Sequence, residues 1–432
     1  MHARKSQPHS LEKSRELQRK LYLSAKKCKT RRFHALYDRI YRFDILWRAW
    51  KEVKGNRGSS GIDEVTIEMI KSQGEPEFVK EIQDSLKLGK YRPASARRVY
   101  IPKSNGGKRP LGIPTIRDRV VQQACKLVIE PLFEANFMDT SYGFRPKRSA
   151  HQAIKMVKEH LVRGWWVLDA DIQGFFDHLN HDILMSLVSR RISDQRVLKL
   201  IRMWLKAGVI ESGKYEVTEQ GTPQGGVISP LLANIYLHVL DKYWDDRFSH
   251  LGYLVRYADD FVIISCTKSS VEKAKLAIQW ILKQLRLALH PDKTKVVQMN
   301  EEGFDFLGYH FRKFKSKVSG KISPYIWPSR DSLKSIRLEI REKTSRRWRG
   351  VPIGYVLNSL KPIIIGWSNY FNKGNSSRQL QLLDRYVYKR LWILFWKRHD
   401  CKFIWVREKF KKWIKEFRVP DFYYPSICGQ RL

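Results

Sequence analysis

The chain has 432 residues, 43% of them hydrophobic, which is enough for two or three domains with cores of their own. It has no apolar run of the roughly 20 residues that a bilayer span needs, and Met1-His2-Ala3-Arg4-Lys5 opens without the apolar stretch of a signal peptide, so no membrane partner and a cytoplasmic location are expected. The formal net charge is +39, and the five cysteines contain no CxxC pair, which argues against a zinc ribbon and a disulfide scaffold and for a polyanionic partner.

The charge gathers at the ends. Residues 1–57 carry 17 Lys and Arg against 5 Asp and Glu, and residues 331–432 carry 23 against 8. Aromatic residues interleave with these cations, a composition suited to a phosphate backbone with stackable bases. Lys26, Lys27, Arg31 and Arg32 near the start, with Arg346, Arg347, Lys411 and Lys412 near the end, are the candidate RNA contacts.

Taken in order, residues 1–30 are basic, with little apolar face before Leu21. Phe33–Val53 has helical period, the 55–61 segment GNRGSSG breaks it, and Ile62 to about Leu86 is helical again. Residues 97–114 read as a hairpin turning at Asn105-Gly106-Gly107, and Lys103, Lys108 and Arg109 at its tip could clamp a triphosphate. Arg117–Phe133 is a helix by period, and Ser141–Ala150 is a cationic loop. Trp165–Ile172 is an apolar strand in which Asp169 and Asp171 share one face, and the bulky Phe175-Phe176 pair follows it. In TEQGTPQGGVISPLLA at 218–233, Gly221, Gly225 and Gly226 permit close backbone approach to a ligand, and Gln224 can reach a base or ribose. Ser229 should cap the helix that follows, with Pro230 in its first turn.

Leu254–Ser265, LVRYADDFVIIS, reads as two apolar strands joined at Asp259-Asp260. Two adjacent carboxylates between apolar strands repel each other. A divalent cation relieves that repulsion, and Mg²⁺ favours one or two carboxylates plus substrate phosphates. The stretch is therefore half of a metal site, with the 169–171 strand as the second carboxylate source. Glu272–Leu289 should be an amphipathic helix, and Lys293–Val297 and Phe304–Phe311 short strands. Beyond Gly320 three helices are expected: one opening at Pro328-Ser329, one over Tyr355–Phe371 kinked at Pro362, and one over Leu380–Lys397 whose aromatic stripe serves a core.

The order of these motifs resembles that of reverse transcriptases over about residues 60–311. More narrowly it is similar to group II intron-encoded reverse transcriptase/maturases. The segments that carry the likeness are YRPASARRVYIPKSNGGKRPLGIPT at 91–115, SYGFRPKRSAHQAI at 141–154, DADIQGFFDHLNHD at 169–182, GTPQGGVISPLLANIYL at 221–237, RYADD at 256–260, FLG at 306–308 and GWSNYF at 366–371. The resemblance implies an α+β right-hand polymerase, with fingers and an antiparallel palm sheet, plus an α-helical thumb/maturase domain. On it, residues 1–57 are a basic N-terminal extension, 58–311 fingers and palm, 312–398 thumb and maturase domain, and 399–432 a short basic segment in the place of a truncated DNA-binding region. The sequence departs from many relatives in one respect: no Cys/His cluster follows GWSNYF, so no C-terminal HNH nuclease module is expected.

By the same resemblance Asp171, Asp259 and Asp260 are the catalytic aspartates and ligands of two Mg²⁺ ions, and Asp169 is a weaker candidate beside them. Phe176 screens the sugar 2′ position, Lys103 and Arg109 meet the triphosphate, Gln224 and Gly225 meet the nucleotide, and Lys293 lies near the leaving group. The implied activity is RNA-directed DNA synthesis by target-primed reverse transcription, with assistance to splicing. The implied partners are intron RNA, an RNA template, a DNA primer or target and dNTPs, in a bacterial cytoplasm or nucleoid. The alternatives are a non-catalytic RNA-binding splicing cofactor, which the intact aspartates oppose, an RNA-synthesising polymerase, which Phe176 opposes, and a free-standing defence or CRISPR-associated transcriptase.

Overall fold

A computed structural model of the chain describes residues 7–102, 107–211, 214–216, 220–222, 225–316, 320–397, 410 and 422. Lys103, Gln224, Lys411 and Lys412 lie outside the described residues. The chain divides into two compact units, residues 1–149 with 168–295, and residues 150–167 with 296–432.

The first unit begins with a helix over Gln7–Lys27. Its apolar face starts before Leu21, where the sequence suggested little. Leu17, Leu21 and Ala25 are buried against the helices Phe43–Gly55 and Ile116–Glu134. Polar ties fix the packing: Gln18 donates from Nε2 to the Leu127 carbonyl at 3.0 Å, and Arg48 donates to Gln18 Oε1 at 2.8 Å. Arg191 closes the helix end by donating to the carbonyls of Ala25 at 3.1 Å, Cys28 at 3.1 Å and Arg31 at 3.0 Å. The basic extension is thus part of a packed body.

Asp194 performs a second tie. Its carboxylate is 3% exposed, caps the Gln195–Lys206 helix through the Arg196 amide at 3.1 Å, and accepts the amides of Leu36 and Tyr37 at 2.9 Å each. Asp194→Ala strands two buried donors and a cap, so it should cost about 3 kcal/mol of unfolding free energy. A denaturant midpoint indistinguishable from that of the parent chain would refute this.

In chain order the strands are β1 (Ala96–Pro102), β2 (Lys108–Ile113), β3 (Trp166–Asp171), β4 (Val209–Glu211), β5 (Lys214–Glu216), β6 (Tyr253–Tyr257), β7 (Asp260–Ser265), β8 (Lys295–Gln298), β9 (Phe304–Phe306), β10 (Tyr309–Lys315) and β11 (Ile322–Pro328). The expected 97–114 hairpin is β1 with β2, antiparallel, with Pro102 opposite Lys108. β4 adds in parallel to β1, and the sheet order is β2-β1-β4-β5. The second sheet of the first unit holds the carboxylates: β6 pairs antiparallel with β7, and β7 neighbours β3.

Local details differ from expectation for identifiable reasons. The 62–86 segment is two helices, Ile67–Gln73 and Glu75–Lys87, because Gly74 between them takes a φ of 116°. The helix over 272–289 is shifted to Lys268–Gln284, started by the Thr267 hydroxyl, which accepts the Ser270 amide at 3.1 Å. Ser229 is the first helical residue rather than the cap, and its hydroxyl is shared with that of Thr222 at 2.9 Å.

In the second unit β9, β10 and β11 form an antiparallel sheet. Three helices follow, Arg330–Lys343, Ile353–Phe371 and Ser377–Trp396. Ser329 caps the first, and the second continues through Pro362. Ile336, Ile340, Leu360, Ile364, Leu391 and Phe395 share one apolar core, so the aromatic stripe is mainly structural. The FLG and GWSNYF segments meet here: Tyr370 donates from its hydroxyl to the Leu307 carbonyl at 2.9 Å, and the Tyr309 hydroxyl donates to the Tyr370 carbonyl.

Candidate active site

The turn between β6 and β7 is shorter than the sequence reading drew it. Tyr257 pairs with Asp260 across the ladder, so only Ala258 and Asp259 make the bend. Ala258 has a φ of 60°, the left-handed conformation that two-residue hairpin turns require. Asp259 therefore stands at the tip and Asp260 opens the return strand, both half-buried.

β3 delivers the other carboxylates. Asp169 and Asp171 are half-buried while Ala170 between them is 1% exposed, as the strand alternation predicted. Beyond β3, the Asp171 carbonyl accepts the His290 amide at 2.8 Å, and the Gln173 amide donates to the Ala288 carbonyl at 3.0 Å. This short antiparallel run brings Lys293 to Asp171, Nζ to Oδ2 at 2.6 Å.

The electrostatics join the two strands. Burial raises the Asp259 carboxyl above its ordinary range, Asp171 adds repulsion, and Arg109 and Lys293 partly offset it. Asp260 is pushed well above its ordinary value, first by burial and then by Asp169, Asp259 and Asp171, with Lys293 opposing. Four acids from β3 and the β6–β7 hairpin thus form one under-neutralised cluster, in which Arg109 of β2 and Lys293 supply the compensating charge. Among the described residues no three Asp, Glu, His or Cys side chains already close into a metal-ligand set. The donor chemistry nevertheless fits a hard divalent cation: the acids are oxygen donors, mutually repelling, and Asp171 already holds a cationic ammonium at contact distance.

The glycine loop is stitched to the segment after β3. The Gly221 amide donates to the Leu179 carbonyl and the Thr222 amide to the Phe176 carbonyl, both at 2.8 Å. Gly221 has a φ of 87°, and a Cβ there would lie 2.7 Å from the Phe176 carbonyl oxygen. Gly225 has a φ of 125°, and a Cβ on it would lie 2.7 Å from the Gly112 carbonyl oxygen of β2. Its close approach is to protein backbone, where the sequence reading had a ligand. Phe176 is half-buried, edge-on to the buried Phe175 ring at 5.2 Å between centroids.

The candidate RNA contacts are exposed where described, and several also serve the fold. Arg31 donates to Ser24 Oγ at 2.8 Å, Arg32 donates to the Ser189 carbonyl at 3.0 Å, and Arg347 pairs with Glu342. Lys26 and Lys27 occupy the last turn of the first helix, where the carbonyl ends favour cations. A cleft in the first unit is lined by Lys29, Arg32, Arg190, Arg191, Lys242 and Arg247, with Asp246 its one acid among the described residues.

Sequence reasoning missed Arg256 and Asp241. Arg256 of β6 is fully buried and forms a two-pronged ion pair with Asp241 of the Ser229–Tyr243 helix, Nε to Oδ1 at 2.7 Å. The signal was a single arginine inside an apolar strand and a single acid inside an apolar helix.

Antiparallel strands bearing paired aspartates, a cationic hairpin and a helical C-terminal region define a reverse transcriptase. The Reverse transcriptase (RNA-dependent DNA polymerase) family matches residues 101–311, and the Group II intron, maturase-specific domain matches residues 333–415. The chain is 38% identical to protein YkfC of Escherichia coli over 342 residues, 70% of this chain and 89% of YkfC. It is 33% identical to the group II intron-encoded protein LtrA of Lactococcus lactis over 442 aligned positions, 81% of this chain and 72% of LtrA. An uncharacterized 91 kDa protein in the cob intron of Schizosaccharomyces pombe is 27% identical over 78% of this chain and 50% of its own length. The chain belongs to the group II intron-encoded reverse transcriptase/maturase family, and its enzymatic activity is RNA-directed DNA polymerisation. No helix among the described residues is long and apolar enough to cross a membrane.

Proposed function

We propose that this chain copies RNA into DNA at the Asp171–Asp259–Asp260 cluster with magnesium, and that it binds the group II intron RNA from which it is encoded, assisting splicing and target-primed mobility. The observation that carries the reading is the gathering of half-buried carboxylates from β3 and the β6–β7 hairpin into one cluster, which Arg109 and Lys293 offset only in part and bound cations would offset further. Asp171 and Asp259 would hold a pair of magnesium ions, with Asp260 in support, and those ions would lower the pKa of a primer 3′-hydroxyl and offset the charge of the triphosphate.

The chain's own residues do the rest. Arg109, exposed on β2, meets the triphosphate, together with Lys103 from the same hairpin. Lys293, which bonds to Asp171, would be free to meet the leaving pyrophosphate where that carboxylate holds a cation. Phe176, braced by Phe175, closes the space a ribose 2′-hydroxyl would need. Gln224 meets the nucleotide, from the loop whose Gly221 and Thr222 amides bond to the Leu179 and Phe176 carbonyls. Positioning and charge neutralisation supply most of the rate enhancement.

The RNA contacts are Lys26, Lys27, Arg31 and Arg32 with the adjoining cationic cleft, and Arg346, Arg347, Lys411 and Lys412 of the maturase region. Functionally the chain reads as a basic extension over 1–57, polymerase over 58–311, maturase over 312–398 and a short basic segment over 399–432. LtrA is a bacterial protein, and a bacterial cytoplasm, beside the nucleoid, supplies template, target DNA and dNTPs together.

Primer extension on an RNA template, with dNTPs and magnesium, tests the polymerase reading. Extension that is dependent on the metal and lost in EDTA is expected, and a purified chain that binds primer–template without extending it would leave the splicing-cofactor reading in its place. Sequencing the RNA that co-purifies with the chain tests the maturase reading, and enrichment of one intron is expected.

A further inference from the structure

The β6–β7 turn is held from behind by a polar assembly buried in the first unit. The Arg256 guanidinium donates from Nε and Nη2 to the Asp241 carboxylate, from Nη1 to Asn234 Oδ1 at 3.1 Å, and from Nη1 to the Ala258 carbonyl at 2.8 Å. Both charged side chains are 0% exposed. Asn234 donates in turn from Nδ2 to the Gly143 carbonyl at 2.8 Å. The backbone around Gly143 lies alongside β6: the Arg256 amide donates to the Thr140 carbonyl and the Tyr142 amide to the Arg256 carbonyl, both at 2.8 Å. A Cβ on Gly143 would collide with the Ala258 backbone nitrogen.

These contacts converge on one residue. Ala258 is the left-handed member of the turn, its side chain gives no conformational preference for that state, and Asp259 follows it directly. Stability alone gives little reason for the charge, because a buried ion pair is replaceable by apolar side chains without loss. A planar, rigid fork that satisfies a carboxylate on one edge and a carbonyl on the other does have a use: it fixes where that carbonyl, and so the next Cα–Cβ bond, points.

We propose that Arg256, clamped by Asp241 and Asn234, is the positioning residue of the catalytic turn: by holding the Ala258 carbonyl it aims the Asp259 carboxylate before any metal or nucleotide arrives. The inference rests on the proposed metal-holding role of Asp259. A substitution in the assembly should therefore weaken metal binding and slow turnover, while leaving the affinity for primer–template and the KM for dNTP near their parent values.

The test uses the full chain carrying Arg256→Met with Asp241→Leu, which replaces both buried charges by apolar side chains and so leaves neither charge unpaired. Asn234→Ala, which leaves the ion pair in place, is the second variant. Mn²⁺ binding by the primer–template complex is followed by electron paramagnetic resonance, and extension rate per active enzyme is followed against Mg²⁺. The double variant should need about tenfold more metal in both measurements and lose about thirtyfold in kcat, whereas Asn234→Ala should shift the metal midpoint about threefold. A merely structural role would lower the active fraction and leave the metal midpoint unmoved. Parent-like metal midpoints in a folded double variant, or in Asn234→Ala should the double variant not fold, overturn the inference. A parent chain that extends no primer overturns the polymerase reading instead.

Discussion

Asp259→Ala abolishes cDNA synthesis, with a loss on the order of a thousandfold or more, equivalent to about 4 kcal/mol of transition-state stabilisation. Asp259 stands at the turn tip, feels the charge of Asp171, and is compensated only in part by Arg109 and Lys293. RNA binding should survive, because the exposed cations of the N-terminal helix and its cleft are untouched. The same variant should leave the metal-free protein as stable as the parent or more so. The sign follows from the shifts. A carboxyl whose folded pKa is raised destabilises the native state once the pH exceeds its unfolded value, and Asp259 and Asp260 are both raised. Removing one charge relieves the other. The checks are single-turnover primer extension, a filter-binding isotherm for RNA, and a thermal midpoint in EDTA. Near-parent extension by Asp259→Ala would end the polymerase assignment at this cluster.

Phe176→Ala admits ribonucleotides. The ring is edge-on to Phe175, which is 2% exposed and itself packed near Tyr236, so its position is set by the core beneath it. Its backbone carbonyl is fixed as well, accepting the Thr222 amide at 2.8 Å. Truncation empties the volume without moving the loop. Discrimination between dNTP and rNTP, measured as the ratio of kcat/KM values, should fall on the order of tenfold to a hundredfold, the range a steric pocket contributes. dCTP incorporation itself should change little. An unaltered ratio would place the sugar gate on another side chain.

Lys293 owes its place to a tertiary contact that no local pattern encodes. Its type and position were legible by resemblance, yet nothing in sequence set it against Asp171, 122 residues away. That contact comes from the His290 amide bonding to the Asp171 carbonyl, a pairing between segments with no shared periodicity. Gly225 shows the converse. The close backbone approach it permits was readable in the sequence, but its neighbour is the Gly112 carbonyl of β2. A glycine reports that something approaches and is silent on what. The N-terminal helix was under-read for a related reason: Leu17, Leu21 and Ala25 make a narrow stripe, and small or widely spaced apolar residues suffice when two other helices supply the groove.

By itself the sequence determined the strand that carries Asp169 and Asp171, the hairpin that carries Asp259 and Asp260, the helical C-terminal region and the surplus of cations. Each of these is written in local pattern, as alternation, period or charge, and local pattern needs no partner to be read. Only the tertiary structure decided that Arg256 turns inward to Asp241, that Ala258 is the left-handed residue, and that Lys293 stands beside Asp171. Those depend on which distant side chains share a low-dielectric interior, where an unpaired charge is too costly to leave and each polar group must find its partner across the fold.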